Sequence, residues 1–263
     1  MDLSDAYANG PYIQGADDFP PRWAQEASAF RDSMGERAHL DIAYGEGDRH
    51  RFDLFLPEGT PKGVFVFVHG GYWMAFDKSS WSNLAAGVLA RGWAVAMPSY
   101  DLCPDVRIAD ITRQIASAIT RIAQEVAGPI LLAGHSAGGH LVARMTGRDV
   151  LPAEVGERLE LVMPISPLSD LRPLMQTGMN EKFQMDLPAA EAESPILMQD
   201  RYDAKVVVWV GGEERPSFLD QAQWLAESWG AGHVVAAGKH HFDVIEPLAD
   251  SESDMVRTLL GEI

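Results

Sequence analysis

The sequence predicts a doubly wound α/β domain, a mostly parallel sheet opened by an antiparallel N-terminal strand pair. Three observations predict it. The runs 64–68, 93–97, 130–133, 159–165 and 206–210 are almost wholly apolar, as strands buried on both faces of a helix-covered parallel sheet are. Helical spacings fall between these runs. Two earlier segments, 40–44 and 51–56, alternate apolar with polar residues, the pattern of half-buried antiparallel strands.

The elements follow in chain order. Pro20-Pro21 interrupt residues 1–37, an N-terminal extension outside the αβ alternation. Its stretch 23–34 reads as a helix, and Trp23 and Phe30 mark it as packing on the body. Residues 38–263 form the main domain. Gly45-Glu46-Gly47-Asp48 makes a hairpin turn between the first two strands. Trp81, Leu84, Val88 and Leu89 mark a helix that Gly92 ends, with Trp81 facing the core. Ile108, Ile111, Ile115, Ile119 and Ile122 recur every three or four residues and form one apolar stripe. Phe218, Ala222, Leu225 and Trp229 mark another helix, closed by Gly230. Residues 233–237 give a last strand. Residues 251–263 begin with a capping cluster, Ser-Glu-Ser-Asp, and carry Met255, Leu259 and Leu260 inward. Residues 166–203 are a long insertion, placed where loops above the C-terminal strand edge shape a pocket.

Bulk properties exclude several classes. The chain has 263 residues, enough for one large domain, and a net charge of −17. That surface repels phosphate backbones and anionic lipid, so neither nucleic acid nor a membrane is an expected partner. No apolar run approaches the ~20 residues of a membrane span. The N-terminus lacks a basic region followed by an apolar stretch, so a cytoplasmic location is expected. Cys103 is the single cysteine, which excludes an intrachain disulfide and a multi-cysteine zinc site.

The chemistry-bearing stretch is Gly134-His135-Ser136-Ala137-Gly138. An apolar run precedes it and a helix-like segment follows. Strand, G-x-S-x-G, helix is the context of a nucleophile elbow. By itself the pentapeptide also fits an ordinary strand-to-helix turn. A base, an acid and an oxyanion hole are needed elsewhere. His69-Gly70-Gly71-Tyr72-Trp73 follows the 64–68 run. Its glycines let backbone N–H groups face a ligand, so Gly71 and Tyr72, with Ala137 after the serine, are the expected oxyanion donors. His69 precedes the nucleophile and braces this loop.

The expected chain order is serine, acid, histidine. Of the later histidines, His140 lies one helical turn beyond Ser136 and His233 lies in a strand. His240-His241-Phe242-Asp243 follows the last strand, where a base-bearing loop belongs. The acid belongs after the 206–210 run, where Glu213 and Glu214 stand; Asp170, after the 159–165 run, is the alternative.

From about residue 40 to the end, the chain resembles the kynurenine formamidase (arylformamidase) branch of the α/β-hydrolases. The residues that carry the resemblance are His69-Gly70-Gly71-Tyr72-Trp73, Asp170-Leu171-Arg172-Pro173-Leu174, Ser194-Pro195, the Glu214, Phe218, Gln221 spacing, and His241-Phe242-Asp243. The resemblance implies an α/β-hydrolase fold and a Ser136/Glu214/His241 triad. Members often carry aspartate where this chain has Glu214, which keeps Glu213 as the fallback. It further implies a serine hydrolase that forms an acyl-enzyme and cleaves an aryl formamide such as N-formylkynurenine. Tyr72, Trp73 and Phe76 are expected to wall the aromatic ring, with His240 beside them. No metal or organic cofactor is needed. The expected partner is a small amide or ester, and a homodimer is left open. A short-chain carboxylesterase or thioesterase would use the same triad, and a non-catalytic ligand-binding protein on this fold is the reading from a different class.

Overall fold

The computed structural model describes residues 2–263. Its eight strands form one sheet in the order β1-β2-β4-β3-β5-β6-β7-β8. They are β1 (Ala38–Ala43), β2 (Arg51–Phe55), β3 (Val64–Val68), β4 (Ala94–Pro98), β5 (Ile130–His135), β6 (Leu159–Ile165), β7 (Lys205–Gly211) and β8 (Gly232–Ala236). β2 pairs antiparallel with both β1 and β4, and every later pairing is parallel. The antiparallel opening and the parallel body are those read from the alternating and the continuous apolar runs.

The helices are α1 (Phe19–Met34), α2 (Ala86–Ala90), α3 (Ile108–Glu125), α4 (Ala137–Arg144), α5 (Ala153–Gly156), α6 (Asn180–Phe183), α7 (Leu187–Ala192), α8 (Pro216–Trp229) and α9 (Asp254–Leu259). They cover both sheet faces, and successive strand residues serve opposite faces. Val64, Val66 and Val68 join a core with the isoleucine stripe of α3, while Phe65 and Phe67 join one with Trp23, Val88 and Met255. Both faces are therefore dry, which is why the central strands tolerate no polar alternation.

Three expectations change in detail. Pro20 and Pro21 do not break the N-terminal region; they sit in the first turn of α1, where no backbone N–H is required of them. That helix starts at Phe19 and buries Trp23, Ala27 and Met34. The segment around Trp81 is not one helix. It runs as two 3-10 turns, Lys78–Ser80 and Ser82–Ala85, before the short α2. Trp81 is core, as expected. The long insertion is held down by buried Leu168, Leu171, Leu174 and Phe183. Within it, Ser194 Oγ accepts from Leu171 N (2.9 Å) and donates to Ala190 O (2.6 Å).

Candidate active site

Ser136 stands between β5 and α4 at φ 56°, ψ −116°. That backbone is disfavoured for a residue with a Cβ and costs on the order of 1–3 kcal/mol, a strain typical of functional sites. The turn is possible because its flanks lack side chains. A Cβ on Gly138 would lie 2.0 Å from Val68 O, inside any van der Waals contact. The loop after β3 crosses just as closely: a Cβ on Gly70 would meet His135 O at 2.8 Å and Ser136 Cβ at 3.1 Å. The glycines thus bring the His69–Trp73 loop against the serine turn. Ser136 N donates to Ile165 O (2.8 Å), which pins the turn to the end of β6.

His241 lies in the loop after β8. Its Nδ1 is 2.6 Å from Glu214 Oε2, and both side chains are buried. The carboxylate can only accept there, so Nδ1 carries a proton, and in the neutral ring Nε2 is then the free nitrogen. The imidazole packs on His135, the residue before Ser136, at 4.6 Å between centroids, and on Phe218 at 4.4 Å. Glu214 Oε1 accepts from Gly211 N (2.8 Å) and from Ser166 Oγ. A buried carboxylate requires such donors. Asp243 Oδ1 accepts from His240 N (2.8 Å) and closes the loop that carries His241.

The residues that the sequence left as alternatives stand in different surroundings. Glu213 is exposed. Asp170 is occupied by its own neighbour: Arg172 Nε and Nη2 reach its two oxygens at 2.9 and 2.7 Å. His140 Nε2 bonds to Glu193 O (2.7 Å), and His233 is exposed on β8. His69 stacks flat on Tyr100 at 4.3 Å, with Nδ1 2.7 Å from Gly70 O. That is a loop brace.

The expected aromatic wall is partly corrected. Trp73 is fully buried, edge-on to His140 and Phe183. With its side chain wholly in the core, it lines no open wall. Phe76 is half-buried against Trp23 and Trp81. His240 is half-buried too, and its Nδ1 accepts from Phe242 N (3.1 Å). Tyr72 is half-buried, and burial pushes its phenol up to about 12. Ser166 was invisible to sequence reasoning. A serine after a strand is common, and only the β6–β7 adjacency places it on Glu214.

Residues 65–231 match the α/β hydrolase fold family. The chain belongs to the α/β-hydrolase family, in its kynurenine formamidase-like branch. It is 30% identical to the kynurenine formamidase of Drosophila melanogaster, over 83% of this chain and 79% of that one. It is 27% identical to that of Danio rerio, over 93% of each. A crystal structure from Silicibacter sp. tm1040, provisionally described as a thioesterase, is 70% identical and superposes with a TM-score of 0.98 over 99% of both chains. This α/β-hydrolase is accordingly a hydrolase by family.

The buried histidines of this α/β-hydrolase make its stability pH-dependent. Burial pushes His69 down to about 4 and His140 to about 3, and it holds His135 well below the ordinary 6.5. Above pH 6.5 these sites are neutral in both folded and unfolded chains. Below it the unfolded chain binds protons that the folded one refuses. Stability should therefore fall as pH drops from 6.5 toward 4, by about 1.4 kcal/mol per pH unit for each histidine. Urea midpoints measured from pH 8 to 4.5 check this. Midpoints that do not move between pH 7 and 5 would show that the three rings take up protons as readily in the fold as in the unfolded chain.

Proposed function

We propose that this α/β-hydrolase is a serine hydrolase that works through an acyl-enzyme and cleaves an aryl formamide such as N-formylkynurenine. The observation that carries the reading is the 2.6 Å contact of His241 Nδ1 with Glu214, made by an imidazole that packs on His135, the residue before a serine in a strained strand-to-helix turn. In this reading His241 Nε2 takes the proton of Ser136 as its oxygen attacks the carbonyl carbon. The oxyanion is met by the backbone N–H groups of Gly71, Tyr72 and Ala137 and by the positive end of α4. The C–N bond breaks and His241 returns the proton to the departing arylamine. Water, deprotonated by the same imidazole, attacks the formyl ester, and formate leaves with Ser136 restored.

Two further observations support the formamide. The similarity to kynurenine formamidases runs over most of the chain. Ser136 is only 2% exposed, and formyl is the smallest acyl group. The 70% identical Silicibacter protein, provisionally described as a thioesterase, favours the second reading, a short-chain thioester or ester. The triad chemistry is common to both. A cytoplasmic setting belongs to the same proposal, since the one cysteine is buried and a reducing compartment asks for no disulfide.

The test is a substrate panel with Ser136→Ala as control: N-formylkynurenine, p-nitrophenyl acetate and an acetyl thioester. N-formylkynurenine should give a kcat/KM at least about 100-fold above the others, a gap within reach of a shaped pocket. Activity on the ester or thioester alone would leave the serine mechanism standing and remove the substrate.

A further inference from the structure

The segment ahead of α1 reaches back to the loop after β3. Tyr72 Oη donates to Tyr7 O (2.8 Å) and accepts from Asn9 Nδ2 (2.9 Å). Asn9 is 2% exposed and Tyr7 is buried. The Tyr7 ring stands edge-on to Phe218 at 5.9 Å, and its hydroxyl accepts from Gln221 Nε2 (3.0 Å). Phe218 in turn packs on His241. Farther along the segment, Asp5 pairs with Arg215 at 2.9 Å, and Ser4 Oγ accepts from Gly178 N (2.9 Å). The segment is thus tied to α8, to the insertion and, through Tyr72 alone of these contacts, to the proposed oxyanion loop.

That loop has a reason to need an anchor. Gly71, Tyr72 and Trp73 stand at φ 106°, 53° and 55°, three left-handed residues in succession. Non-glycine residues keep such conformations only where the surroundings over-determine them. Trp73 is fixed by full burial. Tyr72 is half-buried, and both partners of its hydroxyl come from the N-terminal segment. The phenol is pushed up to about 12 by burial, so it remains a neutral donor across the working pH range.

We propose that Asn9 and the Tyr7 carbonyl are positioning groups that act through the Tyr72 hydroxyl to hold the Gly71 and Tyr72 N–H groups aimed at the oxyanion. The proposal rests on the acyl-transfer reading of the site. The residues involved touch no reacting atom. Their effect belongs to the transition state, where charge develops on the oxygen, so it should enter kcat and leave ground-state binding alone.

The experiment is a double-mutant cycle of Asn9→Ala and Tyr72→Phe, assayed on the best substrate of the panel, with thermal unfolding recorded for each variant. Either single change should lower kcat about tenfold with KM held within about twofold, because each removes the hydrogen bond between the two side chains. The double variant should be no slower than the slower single. Losses that multiply, a kcat within twofold of the parent in the folded Asn9→Ala protein, or an effect confined to KM would each overturn the proposal. If Asn9→Ala does not fold, Tyr72→Phe alone decides the matter, because it deletes one oxygen, and with it both hydrogen bonds to the N-terminal segment, while leaving Asn9 and Tyr7 in place. The Ser136→Ala control separates the two levels. If that variant is inactive and Asn9→Ala is fully active, only the positioning role fails. If Ser136→Ala keeps parental turnover, the acyl-transfer reading falls and takes this proposal with it.

Discussion

Ser136→Ala is expected to remove turnover almost completely, by about 10⁴-fold or more in kcat, while the protein stays folded. The size follows from what remains. Donors from Gly71, Tyr72 and Ala137 would still polarise a carbonyl, but there would be no oxygen for His241 to activate. Water in its place must attack without being held by a covalent bond. The fold should be indifferent, because alanine keeps the Cβ that the φ of 56° must accommodate and loses a single oxygen. The melting temperature of the variant should therefore stay within a few degrees of the parent. A serine-directed fluorophosphonate followed by intact-mass measurement gives an independent reading. The parent should gain one adduct, and the variant none. Retained turnover above about 1% of the parent would remove the serine from the mechanism.

The strands that place this serine were legible because burial on both faces leaves a plain chemical trace. Every residue from Val64 to Val68 is buried, and so is every residue of β5. Apart from His135 at the end of β5, both runs are accordingly free of polar side chains. The elbow was legible for a steric reason, since Gly138 has no room for a Cβ against Val68 O. Other features left no such trace. Trp73 is expected in a pocket wall beside Tyr72 and Phe76; its burial comes from packing on His140 and Phe183, which lie 67 and 110 residues away in sequence. Ser166 and Asn9 are ordinary polar residues in ordinary loops. Their contacts reach across 48 and 63 residues of sequence, to Glu214 and Tyr72. Periodicity reports neighbours along the chain, and these partners are brought together by the sheet order.

Glu214→Gln should be the second large loss, about 10³- to 10⁴-fold in kcat, against less than twofold for Glu213→Gln. The reasoning turns on which way an amide can face. The Oε1 side of Glu214 receives Gly211 N–H at 2.8 Å, and a backbone donor cannot turn round. Ser166 Oγ points to the same oxygen. In the glutamine variant the amide oxygen is therefore drawn to that side, and the NH₂ is left facing His241 Nδ1. A donor there forces the imidazole to carry its proton on Nε2. That tautomer cannot accept the proton of Ser136, and the carboxylate charge that stabilises an imidazolium is gone as well. Glu213 is exposed, and Asp170 is engaged by Arg172, so neither can take over. Steady-state kinetics of Glu214→Gln, Glu213→Gln and Asp170→Asn give the ranking. A loss that is largest at Glu213 moves the acid by one residue, and a loss that is largest at Asp170 moves it to the end of β6. A Glu214→Gln enzyme with parental kcat would mean that His241 needs no carboxylate, and the 2.6 Å contact that carries the proposed function would then have no catalytic role.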